Sequence, residues 1–375
     1  MFSLIKRAFK FNFDSSNRVI GLDIYRSAAI LFVLFAHFLQ VFPGDSLIIN
    51  FIYNFSGYIG VELFFVLSGF LIGGILVNIN DRSDHFNLIV IQKFWIRRWF
   101  RTLPAYYLMI LINTILFFFA NNQFIFGGIN GWSYILFLQN FSNQKQSFFS
   151  ESWSLCIEEW FYLLIPLFIF FFNFLKKNKM QKFIIAVVFF YLLIMILKLL
   201  VVYNFELSWG EVRRLTPVRL SSILYGVIAA YMNFYYRESW VSKKNIFLAC
   251  GILFSAVSTY FFITQVNYGI PNKEGYLIKV FLFDGFSISF AFLLPFFSQM
   301  KKLKSTWMVT IFVFISTISY SMYLIHVPVL KLLSVFHLPS AIYYIFCWVI
   351  SIALSAVIYN LYEHPFTDLR DKFSK

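Results

Sequence analysis

Apolar runs about 20 residues long, the length at which an α-helix crosses the hydrocarbon core of a bilayer, recur along this chain from near Ile24 to Leu361. Backbone inside hydrocarbon finds no water, so each run must satisfy its own N–H and C=O groups, which an α-helix does within one segment. We place ten such segments, at 24–43, 55–77, 104–120, 153–172, 183–203, 217–236, 246–263, 277–296, 308–329 and 340–361. Composition points the same way: 60% of the residues are hydrophobic and 13% charged, whereas soluble domains average about 45–50% and about 25%. A soluble globular enzyme is excluded. The expected fold is an all-α integral membrane protein of about ten transmembrane helices, with a segment 1–23, one membrane domain 24–362 and a tail 363–375.

Lys and Arg outnumber Asp and Glu 31 to 17. In a soluble chain that excess would point to nucleic acid; here the basic residues gather between apolar runs, so they report topology, and no nucleic-acid partner is expected. Alternate connections carry about 22 Lys and Arg, including Arg82, Lys93, Arg97, Arg98, Arg101 and Arg370, against about four on the other side, Lys145, Arg213, Arg214 and Lys273. The asymmetry supports ten spans with both termini cytoplasmic. The basic N-terminal stretch precedes a run too long for the h-region of a signal peptide, with no A-x-A-like site after it, so we expect that run to stay as the first helix. Cys156, Cys250 and Cys347 lie far apart in apolar runs, in no metal-ligand spacing, and read as buried thiols. The long polar connection at 121–152 is suited to cover or approach an external substrate.

Ionisable side chains are costly in hydrocarbon, so those inside the spans are the candidates for function. In GLDIYRSAAILFVLFAHF, Arg26 and His37 stand eleven residues apart, which at about 100° per residue returns them to one helix face, with His37 about 16 Å further along the axis. An interhelical hydrogen bond is the alternative role for that histidine. In FWIRRWFRTLP, Arg97, Arg98 and Arg101 fall at helical spacings ahead of Pro104, which we take to open the next helix. A guanidinium cluster suits phosphate oxygens; anchoring by positive charge, with Trp95 and Trp99 in the aromatic belt, is the plainer reading. WSLCIEEWFYL carries Trp153, Ser154, Glu158 and Glu159, with Glu151 just ahead, and the two adjacent glutamates point about 100° apart. Ser319, Tyr323 and His326 form one polar stripe at i, i+4 and i+7. His37, Glu158 or Glu159, and His326 are thereby expected at similar depth. Glu62 and Arg219 read first as partners in buried ion pairs, and Glu363 as a solvated interfacial carboxylate. His85 and His337 fall in loops, and Lys198, Lys279 and Lys331 are expected to snorkel toward the interfaces.

Taken in order, Arg26-x10-His37, GVELFFVLSGFLI, the Arg97/Arg98/Arg101/Pro104 pattern, WSLCIEEWFYL, Thr216/Arg219 ahead of Gly226, and SYSMYLIHVP resemble acyltransferase family 3, over residues 21–365. The resemblance implies transfer of an acyl group, often acetyl from acetyl-CoA, to a hydroxyl of a cell-envelope glycan such as lipopolysaccharide O-antigen or exopolysaccharide, at a bacterial inner (plasma) membrane. It implies His37 as the essential histidine with Arg26 supporting its helix face, Arg97, Arg98 and Arg101 as the binding site for the acyl-CoA phosphates, and Arg26 as a further member of the acyl-CoA-binding set. It also implies Glu158 as the motif's principal acid, with His326 in the catalytic set. Trp153, Ser154, Ser319, Tyr323, Glu62, Arg219 and Glu363 would support them. Acyl-CoA is then a co-substrate rather than a tightly bound cofactor, and no metal is implied. The chain ends about ten residues after Pro365, so the glycan acceptor is expected to meet the membrane domain or a separate periplasmic partner. Whether His37 serves as a general base, oriented by Glu158 or another polar group, or carries the acyl group is left open by the spacing. The rival reading is a polytopic transporter or lipid-linked glycan flippase, which would use internal symmetry and broken helices that the sequence does not display.

Overall fold

The computed structural model describes residues 18–42, 47–82, 86–121, 123, 125–127, 129–141, 148–205, 207–268, 275–301 and 305–373. Among the described residues there are α-helices, short 3-10 turns and one π-helical turn, and no strand. The α-helices are α1 (Ile20–Leu39), α2 (Leu47–Arg82), α3 (Leu88–Asn121), α4 (Ile129–Ile135), α5 (Trp153–Phe171), α6 (Lys179–Asn204), α7 (Trp209–Arg214), α8 (Thr216–Tyr235), α9 (Arg237–Ser242), α10 (Lys244–Tyr268), α11 (Tyr276–Gln299), α12 (Thr306–Ser334), α13 (Ser340–Ile358) and α14 (His364–Phe373). Among the described residues nine helical stretches are long and apolar enough to cross a membrane. They correspond to nine of the ten runs placed from sequence. Large apolar side chains such as Leu111, Phe119, Leu192, Ile196, Leu253 and Val349 are exposed on the outside, as a lipid-facing surface requires.

The tenth run forms α8, which is long enough but less apolar than the others. Its position explains why. Thirteen of its 20 residues are buried, and it packs on α2, α5, α6 and α11. A helix that faces protein over most of its surface needs little lipid-compatible surface, so it tolerates Arg219, Ser221 and Ser222 on its buried side. Close approach of α2 and α8 depends on two glycines. A Cβ on Gly226 would stand 2.1 Å from the Val66 carbonyl oxygen, and one on Gly69 would stand 1.9 Å from that of Ile223. Gly226→Ala is therefore expected to push these helices apart at a cost of about 1–3 kcal/mol. A melting curve in detergent checks this, and an unchanged Tm contradicts the close packing.

One buried ion pair joins α8 to α2, and a second, between α6 and α11, is bonded by a serine of α8. Arg219 donates to Glu62 and, at 2.9 Å, to Ser222, while Ser287 donates to Glu62 at 2.8 Å. Lys198 donates to Asp284 at 2.6 Å, and Ser221 to the other Asp284 oxygen at 2.8 Å. Glu62 and Arg219 are thus buried ion-pair partners, the structural role expected of each, and the fold pairs them with one another. Lys198 and Lys279 do not snorkel: both are buried, and Lys198 faces a carboxylate on α11 instead of lipid. Lys331 is exposed and donates to the Phe148 carbonyl at 3.4 Å.

Two other expectations change. Pro104 lies inside α3 and does not open a new helix, so the arginine cluster and the third span form one 34-residue helix. The last span also runs on: the π turn Tyr359–Glu363 links α13 to α14. That turn buries Glu363, which accepts from Ser321 at 2.7 Å and is not solvated. Cys156 and Cys347 are buried and Cys250 is half-buried, all as free thiols. His337 is exposed in a turn. His85, Lys145 and Lys273 lie outside the described residues.

Candidate active site

The site is built on α1, α2, α3, α5 and α12. α1 packs between α2 and α12, and its polar face looks toward α12. Arg26 donates to Ser316 at 3.3 Å, and Ser316 donates to Asp23 at 2.6 Å. Near the other end of α1, the His37 ring meets His326 of α12 edge to face, with centroids 4.8 Å apart. The shared face expected for Arg26 and His37 is present.

Both histidines have their protons placed by the backbone. A carbonyl oxygen only accepts, so Nδ1 of His37 donates to the Val33 oxygen at 2.8 Å, and Nδ1 of His326 donates to the Tyr323 oxygen at 2.6 Å. In each neutral ring the lone pair is therefore on Nε2. The two rings differ in access. His37 borders a cavity, whereas His326 is fully buried and its Nε2 has no hydrogen-bond partner among the described residues.

Three adjoining cavities follow the polar faces of these helices. The first, about 310 Å³, is bordered by His37, Tyr53, Glu151, Trp153, Arg213, Arg214, Tyr323 and Lys331. The second, about 140 Å³, is bordered by Arg26, Ser68, Arg98, Arg101, Ser154, Glu158, Ser319 and Tyr323. The third, about 550 Å³, is bordered by Arg82, Lys93, Arg97, Arg98, Arg101 and Arg370. The second shares Val61 and Tyr323 with the first, and Ile72, Ile75, Arg98 and Arg101 with the third. The first and third are on the scale of small-molecule sites, and the second is a narrower space between them.

The predicted residues divide among the cavities. Glu158 does not orient His37; it is engaged by Arg98 at 3.6 Å and accepts from Tyr162 at 2.9 Å. The reason is depth: Glu158 lies one helical turn beyond Ser154 in α5, level with the middle cavity. Arg98 donates to the Tyr162 hydroxyl at 2.7 Å and sits over its ring at 4.1 Å. The same hydroxyl bonds Ser68. Arg97 and Arg101 are exposed. Of the three predicted arginines, then, Arg98 is already paired, while among the described residues Arg97 and Arg101 form no salt bridge. Tyr323 ties the histidine end together: its hydroxyl donates to the Glu151 carbonyl at 2.8 Å and meets the Ser154 hydroxyl at 2.6 Å.

The long polar connection does reach the site, through Ser150 and Glu151. It is anchored by Asn140, which donates to the Trp153 carbonyl at 2.6 Å and accepts from the Thr216 N–H at 3.1 Å. The Phe137 carbonyl, at a residue with φ 54°, receives the Trp160 indole N–H and the Cys156 thiol, each at 2.8 Å. Residues 142–147 lie outside the described residues.

Sequence reading did not single out Tyr162, Ser68, Tyr320, Arg213 or Lys331 as site residues. Tyr162 stands one turn from Glu158, the one signal available. Arg82, Lys93 and Arg370 appeared only as topology markers, because convergence of α2, α3 and α14 is a tertiary fact. Among the described residues no group of three His, Cys, Asp or Glu side chains gathers as a metal site.

With this geometry in view, comparison with known proteins gives a consistent result. A family model described as an acyltransferase domain matches residues 19–360. The chain is similar to the O-acetyltransferase OatA of Staphylococcus aureus strain NCTC 8325 / PS 47, at 26% identity over 94% of this chain and 57% of that protein. The similarity to OatA of strain COL has the same values, 26%, 94% and 57%. The chain therefore spans little more than half the length of these curated relatives. No solved structure matches it.

Proposed function

This chain belongs to the acyltransferase family, and from that premise we propose that it is a membrane O-acyltransferase that moves an acetyl or other acyl group from acyl-CoA to a hydroxyl of a cell-envelope glycan. The observation that carries the reading is the placement of His37. It borders a cavity that adjoins, through the small middle cavity, a wide one rimmed by Arg82, Lys93, Arg97, Arg98, Arg101 and Arg370.

Each end then has a task. The cationic rim, taken as cytoplasmic from the positive-inside distribution, holds the phosphates of acyl-CoA. The extended pantetheine arm runs past Arg98 and Tyr323 and brings the thioester to His37. The acceptor enters from the opposite side of a bacterial inner (plasma) membrane. His37 Nε2 removes the proton from the acceptor hydroxyl, whose oxygen attacks the thioester carbonyl. The new ester forms as the carbon–sulfur bond breaks, and the departing thiolate takes the proton from the imidazolium. His326, walled in behind His37, holds the ring in place. The Glu158–Arg98–Tyr162 group shapes the passage for the arm.

Acetyl-CoA binding by the purified protein tests this. Arg101→Gln, which leaves the Arg98–Glu158 pair untouched, is expected to weaken binding roughly tenfold, the effect of losing one charge-assisted hydrogen bond of about 1.5 kcal/mol. A protein that neither binds acetyl-CoA nor releases CoA overturns the reading in favour of a transporter.

A further inference from the structure

Three cations inside this bundle have carboxylate partners: Arg219 has Glu62, Lys198 has Asp284 and Arg98 has Glu158. Arg213 is different. It is half-buried beside the cavity that His37 borders, yet among the described residues it forms no salt bridge; its Nε, like those of Arg98 and Arg219, is buried without a hydrogen-bond partner. Its guanidinium carbon instead lies 5.4 Å from the centre of the Trp153 ring, 5.7 Å from that of Trp209 and 5.8 Å from that of Tyr58.

This is a built position. The short helix α7 is started by a full capping box between Ser208 and Glu211. Val212, next to the arginine, is fully buried. Three aromatic faces hold the guanidinium by cation–π attraction, which leaves its fork of N–H donors for something else. Arg214 and Lys331 border the same cavity, and the carboxylate there is Glu151, so three cations face one anion. Such an excess of positive charge around one cavity suits a bound anion.

We propose that Arg213 anchors an anionic group, a carboxylate or a phosphate, on the acyl acceptor, and that the acceptor is therefore an acidic glycan. The inference rests on the O-acyltransferase reading and adds the chemical class of the substrate. A cavity of about 310 Å³ lies at the small end of ligand sites. The anion and the acylated hydroxyl consequently belong to one sugar or to adjacent ones. Arg213 holds the acceptor's anionic group in the cavity that His37 borders and contributes to acceptor binding; it takes no part in moving the proton.

The test uses the full chain in bacterial membranes. Glycans from cells with and without the protein are compared by tandem mass spectrometry, which locates the acyl group and tells carboxylate from phosphate. The expected product carries its acyl group on, or next to, a sugar bearing an anion. With that acceptor, Arg213→Gln is expected to raise the acceptor KM about tenfold or more, with kcat and the KM for acetyl-CoA unchanged, and Arg213→Lys is expected to recover part of the loss. An acyl group on a neutral glycan overturns the inference, as does a fall in kcat with no change in acceptor KM. The product from the unaltered chain decides the question even if Arg213→Gln fails to fold. No acylated glycan together with no CoA release is a separate outcome: it removes the transferase reading, and this inference with it.

Discussion

His37→Ala is expected to reduce acyl transfer by about 10²–10⁴-fold, the range contributed by a positioned general base, and to leave acetyl-CoA binding unchanged. The geometry separates the two effects. The imidazole borders one cavity and the arginines border another, and among the described residues the hydrogen bond from the ring goes to its own helix, at Val33. Truncation therefore removes the Nε2 lone pair without breaking a hydrogen bond between helices. A His37→Gln variant preserves polarity and bulk but cannot accept and release a proton at pH 7, so it should be as inactive as the alanine variant. His326→Ala should do less harm, since that ring contacts His37 but not these cavities. Full transfer by His37→Ala protein would remove the histidine from the mechanism.

Arg219→Ala should cost stability on a scale few other single changes reach here. Removing one partner of a buried ion pair typically costs about 3–5 kcal/mol because the other charge is stranded. Glu62 would be left with Ser287 alone, at full burial. Folded proteins have only about 5–15 kcal/mol in total, so the yield of monodisperse protein should drop sharply. The pair also holds α2 against α8, and α2 supplies Val61, Ser68, Ile72 and Ile75 to the cavity walls. A double replacement, Arg219→Met with Glu62→Leu, should be more stable than either single variant, because no uncompensated charge remains. Ser287 keeps a partner in that background, the Phe283 carbonyl at 2.9 Å. Equal stability for Arg219→Ala and the unaltered protein would show that the pair carries no structural weight.

Much of the site was legible along the chain because charge inside an apolar run is conspicuous. Arg26, His37, Glu158 and His326 stood out for that reason, and helical periodicity gave the shared face of Arg26 and His37. What periodicity could not give was pairing. Glu158 was expected near His37, and the fold set it against Arg98 and Tyr162; Glu363 was expected in solvent, and a π turn rotated it onto Ser321. Lys198 and Lys279 misled for a related reason. Snorkelling presumes a lipid-facing side chain, and which side of a helix faces lipid is settled by its neighbours.

The sequence alone determined that this protein is a bundle of membrane-crossing helices, since hydrophobic length is a local, additive property that holds whatever the helices pack against. It also determined which side chains would be too costly to leave in lipid. Only the tertiary structure decided how those side chains meet. Glu62 and Arg219 are 157 residues apart in the chain, and Lys198 and Asp284 are 86 apart. Whether such residues touch depends on the rotation and depth of each helix, which follow from packing at contacts such as Gly69 against Gly226. A one-dimensional pattern carries no term for that rotation, so the arginine rim, the paired histidines and the unpaired Arg213 emerge only once the helices have been brought together.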